Sequence, residues 1–186
     1  MIISHRHKFV FIKTKKTSGS TLEHLLYRYL DKEIDICTGS ELDDTPIMNT
    51  GGEPLNGHMS YKNILKSYDI RRDEYFFFTI ERNPWAKCVS SFWWHKRKNP
   101  AVYKKKDFED YLIHESAGIL PFGWKLYTNK NKISVDEVFQ YENLEFMYSY
   151  LNYKFDFNIT KDELKNTRCK SGLNKTDQFC LDHFYI

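Results

Sequence analysis

Phe9-Val10-Phe11-Ile12-Lys13-Thr14-Lys15-Lys16-Thr17-Ser18-Gly19-Ser20-Thr21-Leu22-Glu23 is the stretch of this chain richest in chemistry. An apolar run with β propensity ends in a basic, hydroxyl-rich loop, and the loop opens an amphipathic helix. That order brings backbone N–H groups, lysine ammonium groups and hydroxyls to one helix N-terminus. Unpaired amides and the positive end of the helix dipole then face the same point, which suits a phosphate or sulfate group.

A second stretch of the same kind is Tyr75-Phe76-Phe77-Phe78-Thr79-Ile80, which runs into Glu81-Arg82-Asn83-Pro84. Asn83 is a natural N-cap and Pro84 a natural first helical residue. A nucleotide-triphosphate loop of the form G-x-x-x-x-G-K-[ST] does not fit, because Gly19 follows Lys16 and no glycine precedes it at the required distance. The second strand ends in Glu81-Arg82, where an ATPase or kinase would need a magnesium-binding aspartate. A donor that needs no metal suits the loop better.

These residues resemble the sulfotransferases that use 3′-phosphoadenosine 5′-phosphosulfate (PAPS). Lys13 to Thr21 is similar to their 5′-phosphosulfate loop, with Lys15 and the Ser18-Gly19 pair as departures. Arg82-Asn83-Pro84 with Ser90 resembles their 3′-phosphate motif, an R-[ND]-P followed by a serine further along the helix. Val138-Phe139-Gln140-Tyr141-Glu142-Asn143-Leu144 is similar, less specifically, to a strand-to-helix segment of carbohydrate-type members. The resemblance implies a P-loop NTPase-like sulfotransferase fold, PAPS as donor and adenosine 3′,5′-bisphosphate as product. It also implies an acceptor hydroxyl, expected on a carbohydrate.

Residue by residue, the resemblance implies cofactor contacts at Lys16, Thr17, Ser18, Gly19, Ser20, Thr21, Arg82 and Ser90, with no metal. Lys16 would donate to the bridging oxygen of the leaving nucleotide, where charge builds. His58, in Asn56-Gly57-His58-Met59-Ser60, resembles the element that supplies the base in several carbohydrate sulfotransferases, and Glu53 is its reserve. A histidine suits that work because it titrates near neutrality. Lys170-Ser171-Gly172 could add late nucleotide contacts.

The elements that must position these groups read as an α/β protein with a central, mainly parallel sheet flanked by helices. Lys8 to Lys13 is expected to be a strand covered on both faces. A helix starting at Thr21 should follow, with Ser20 and Glu23 as a capping box and Leu22, Leu25, Leu26, Tyr29 and Leu30 as its apolar stripe. Asp31 to Asn56 shows no period and is expected to be irregular. Further helices are expected near Ser60–Ser67, from Pro84 to before Asn99, and over Asp107–Ser116, Asn143–Tyr153 and Thr160–Asn166, with a third strand at Val135–Tyr141. In such sheets ligands bind beyond the C-terminal strand ends, so the two anion loops should share one crevice.

Bulk properties agree with a single domain over residues 1–186. Aromatic residues make up 17%, enough for a packed core, and 8 Gly with 5 Pro exclude low-complexity classes. The net charge of +3 falls short of a dedicated nucleic-acid binder. The charge is clustered, and Lys104-Lys105-Lys106 reads either as a solvated face or as an electropositive rim. Cys37, Cys88, Cys169 and Cys180 lack metal-ligand spacing, and Cys88 is expected to be a buried free thiol. With no signal-peptide pattern and no long apolar run, a cytoplasmic protein that binds neither membrane nor nucleic acid is the expectation. Two other functions stay open: an ATP-dependent phosphotransferase, and a non-catalytic nucleotide- or polyanion-binding protein.

Overall fold

The computed structural model describes residues 1–40, 45–49, 57–98, 108–114 and 123–167. Strand β1 (Ile2–Ser4) turns back through Lys8, whose φ is 55°, into β2 (Phe9–Ile12). Buried Asp35 holds that turn by accepting from Ser4 Oγ at 2.9 Å and from the His5 N–H at 2.6 Å. Helix α1 (Gly19–Leu26) follows, then β3 (Ile36–Ser40), β4 (Thr45–Met48), α2 (Tyr61–Ser67), β5 (Phe76–Glu81) and α3 (Pro84–Lys98). The remainder is α4 (Phe108–His114), α5 (Trp124–Tyr127), the small hairpin β6 (Thr128–Asn129) and β7 (Lys132–Ile133), β8 (Glu137–Gln140), α6 (Leu144–Phe155) and α7 (Lys161–Asn166).

One six-stranded sheet carries the order β4-β3-β1-β2-β5-β8. It is mixed and not mainly parallel: β2–β5 and β5–β8 are parallel, whereas β1–β2, β1–β3 and β3–β4 are antiparallel. Two features change the balance. Ile2-Ile3-Ser4 adds a strand ahead of β2, and the connection between them is too short for a parallel crossover. Within Asp31–Asn56, β3 and β4 pair with each other where irregular chain was expected.

Side-chain alternation along β2 sorts the two layers of core. Phe9 and Phe11 join Leu22, Leu25 and Leu26 of α1 and Met147 and Leu151 of α6. Val10 and Ile12 join Ile64 of α2, Phe77 and Tyr127 on the other face. The strand is therefore buried on both sides, as its continuous apolar run predicts. A smaller cluster of Val89, Phe92, Phe108 and Tyr111 packs α3 on α4.

Local signals set most helix starts. Asn83 Oδ1 accepts from the Trp85 N–H at 3.0 Å beside Pro84, and Thr160 with Glu163 forms a capping box at the start of α7. Helix α1 differs from expectation. It starts at Gly19, its N-cap Ser18 sits at φ 61° without a side-chain cap, and Glu23 is buried instead of closing a capping box. Cys88 is half-buried, and only Cys37 of the two described thiols is fully so. No helix among the described residues is long and apolar enough to cross a membrane.

Candidate functional site

Because β2 and β5 run parallel with Ile12 opposite Thr79, the loops that follow them leave the same edge of the sheet. Three buried hydroxyls fix the start of the first loop, two of them across to β5 and one within the loop. Thr79 Oγ1 donates to the Ile12 carbonyl at 2.7 Å, Thr14 Oγ1 donates to the Ile80 carbonyl, and Thr17 Oγ1 donates to the Thr14 carbonyl at 3.1 Å. Lys16 and Ser18 both adopt left-handed backbone, at φ 62° and 61°. For non-glycine residues that conformation costs about 1 kcal/mol or more each, so the loop is held in shape by its surroundings.

The lysines divide. Lys13, expected among the cations of the loop, turns inward, and its Nζ lies 2.6 Å from Glu23 Oε2. Glu23 also pairs with the Met1 ammonium, which donates to Thr38 Oγ1 at 2.9 Å and to the Gly57 carbonyl at 3.2 Å. This buried pairing takes Glu23 out of the capping box. Gly19 is pressed against the same lysine, and a Cβ there would come 2.6 Å from Lys13 Cγ. Lys15 is exposed, while Lys16 is half-buried with its Nζ 5.3 Å from the centroid of the Trp94 ring. Trp94 is thus a contact of the loop and not simply core, and Trp85 is 56% exposed. Ser20 is buried and Thr21 half-buried on the first turn of α1.

His58 approaches the loop from the side of α2, with its Nδ1 2.9 Å from the Lys13 carbonyl. A carbonyl only accepts, so Nδ1 carries the hydrogen and Nε2 holds the basic lone pair. Burial, reinforced by the charge of Lys13, pushes the ring down to about 4. His58 is therefore uncharged at neutral pH, and it titrates well below the near-neutral range expected of it, because its ring is buried.

Arg82 stands where β5 ends. Its Nη1 donates to the Lys16 carbonyl at 3.5 Å, which joins the two loops. Its guanidinium carbon lies 4.2 Å from the centroid of Tyr141, and its Nε is buried without a hydrogen-bond partner among the described residues. The Arg82 N–H donates to Glu81 Oε1 at 2.8 Å. The Glu81 carboxylate is already engaged by buried Lys87 and by the Tyr127 hydroxyl at 3.3 Å. Burial lowers the Lys87 ammonium, and burial with the neighbouring Glu81 charge raises Tyr127 to about 12. Gly123 covers the pair so closely that a Cβ would fall 2.6 Å from Glu81 Oε2. Ser90 is buried on α3 and shares no hydrogen bond with Arg82 among the described residues.

Lys16, Thr17, Ser18, Gly19, Arg82 and His58 thus converge on one edge of the sheet, linked through the Lys13 and Lys16 carbonyls. Glu53, the Lys104–Lys106 run and Lys170-Ser171-Gly172 lie outside the described residues. Sequence reasoning missed the contact of Tyr141 with Arg82 and the Glu81–Lys87 pair beneath it. Strand register was the signal for the first: Glu81 pairs with Gln140, so Arg82 and Tyr141 are the next residues on neighbouring parallel strands.

The donor set suits a two-ended anion. Lys16 and the first amides of α1 could take one end, and an arginine with an unengaged Nε and no carboxylate partner among the described residues could take the other. Comparison of the chain with protein-family models, with curated proteins and with solved structures returned no match.

Proposed function

We propose that this chain is a PAPS-dependent sulfotransferase with a P-loop NTPase-like fold, acting on an acceptor hydroxyl carried by a carbohydrate. The observation that carries the reading is Arg82 reaching the Lys16 carbonyl from the end of the neighbouring parallel strand. That contact joins the two loops read as anion-recognition motifs, which supports one nucleotide spanning both. Engagement of Glu81 by Lys87 further favours a donor that needs no magnesium over ATP, since the carboxylate at the strand end already has its cation.

Lys16, Gly19, Ser20 and Thr21 would hold the phosphosulfate, and Arg82 with Ser90 the 3′-phosphate. When bound, the donor supplies an activated sulfuryl group whose bridging S–O bond breaks as the acceptor oxygen bonds to sulfur. Lys16 stabilises the electron pair left on the phosphate oxygen. The neutral Nε2 of His58 takes the acceptor proton, and the Lys13 carbonyl holds the ring in the tautomer that this requires. Trp94 restrains the Lys16 ammonium through its ring face.

Titration calorimetry tests the reading directly. Adenosine 3′,5′-bisphosphate should bind without metal and tighter than ATP with magnesium. Magnesium-dependent ATP binding alone would replace the proposal with a phosphotransferase. Nucleotide binding without transfer of labelled sulfate from PAPS, across a panel of glycans and small alcohols, would leave a non-catalytic binding protein. His58→Gln should abolish transfer while keeping nucleotide affinity.

A further inference from the structure

Residues Tyr141 and Glu142 lie on a 3-10 turn between β8 and α6 and grip Arg82 and Asn83, two consecutive residues at the end of β5. The geometry follows from strand pairing. β5 and β8 are parallel with Glu81 opposite Gln140, so the next residue on each strand falls side by side. The Tyr141 ring stacks on the Arg82 guanidinium at 4.2 Å, and Glu142 Oε1 accepts from the Asn83 N–H at 2.9 Å. Arg82 has no carboxylate partner among the described residues, and its Nη1 contact to the Lys16 carbonyl is long at 3.5 Å. The aromatic face, together with that long carbonyl contact, is thus what orients it. Half-buried Tyr141 packs in turn against the core layer under α6, so the ring is itself fixed.

We infer that Tyr141 is a positioning residue for anion recognition: its ring fixes the direction of the Arg82 guanidinium toward the 3′-phosphate of the nucleotide. This rests on the sulfotransferase reading for the identity of the anion, but not for the stacking. An aromatic face suits the task better than a carboxylate would. It orients a cation while leaving its charge and its N–H groups available to a phosphate, whereas an ion pair would neutralise both. Glu142 fixes the backbone of the same two-residue step by accepting from the Asn83 N–H.

Two measurements on the full chain separate this inference from the function proposed above. In the first, the 15Nε–1H resonance of Arg82 is recorded without ligand. The wild type and Tyr141→Phe should show it displaced by the ring and slow to exchange, while Tyr141→Leu should move it to the ordinary arginine position with fast exchange. An unchanged resonance in Tyr141→Leu overturns the inference whatever the protein binds. In the second, Tyr141→Leu should weaken adenosine 3′,5′-bisphosphate by about tenfold. Adenosine 5′-monophosphate should be little changed, and Tyr141→Phe should restore affinity to within about twofold. Equal loss for both nucleotides, or none for either, overturns the positioning role. A wild type that binds neither nucleotide overturns the function reading, and the resonance then decides the role of Tyr141. Should Tyr141→Leu fail to fold, a fluorinated phenylalanine at position 141 keeps the shape while draining the ring face. It should weaken the bisphosphate, and unchanged affinity sinks the inference.

Discussion

Acid should destabilise this protein through His58 in a way that one substitution isolates. An ordinary histidine takes up its proton near 6.5, whereas burial holds His58 to about 4. At pH values between the two, the unfolded chain binds a proton that the folded chain refuses. Stability is therefore complete above 6.5 and falls as pH drops toward 4. At about 1.4 kcal/mol per tenfold difference in proton affinity, the loss reaches about 2 kcal/mol by about pH 5 and about 3 kcal/mol by about pH 4. These are upper figures, because the half-buried ring keeps some contact with water. Carboxylates titrate in the same window but are common to both proteins when wild type is compared with His58→Gln. Urea unfolding at about pH 7, about pH 6 and about pH 5 supplies the comparison. The offset at neutral pH reports the lost hydrogen bond to the Lys13 carbonyl, and only the change in that offset with pH reports the proton. A wild type that loses no more stability than His58→Gln between neutral pH and pH 5 refutes the reasoning. A His58 resonance titrating near 6.5 would refute it as directly.

Gly19→Ala should destabilise the fold by about 1–3 kcal/mol in denaturant unfolding, since the added methyl must displace the buried Lys13 chain from Glu23. A neutral substitution would show that the lysine has room to move. Lys16→Met, which keeps the length and the apolar stem, should lower the transfer rate by about 10²–10³-fold in a sulfate-transfer assay. It should leave the fold intact in denaturant unfolding, because methionine keeps the half-buried stem beside Trp94. Retained turnover in that variant would move the leaving-group role to another cation.

The legible features are those carried by near neighbours in sequence. Phe9–Ile12 announces a strand buried on both faces because every residue is apolar. Asn83-Pro84 and Thr160 with Glu163 announce helix starts because each cap is satisfied within three residues. Glu23 misleads for the opposite reason. Its spacing from Ser20 suits a cap, but its partners are Lys13 and Met1, and burial among them outweighs a solvated capping bond. The antiparallel half of the sheet is invisible for a related reason. Ile36 and Cys37 are a short apolar run whose strand character comes from pairing with Ile3 and Ile2. Tyr141 beside Arg82 needs a register that no single segment encodes. The two loops are readable as motifs, whereas the contact that joins them is not.

Lys13 has a consequence beyond the charge it withdraws from the loop. Its side chain is anchored on Glu23 while its carbonyl meets His58, so one residue ties an interior ion pair to an imidazole. Which nitrogen of that ring carries the hydrogen is thereby decided by the carbonyl of residue 13, whose side chain the interior anchor holds. Changes to Glu23 should accordingly appear first in the 15N spectrum of His58, as a mixture of tautomers, before any group at the surface has moved.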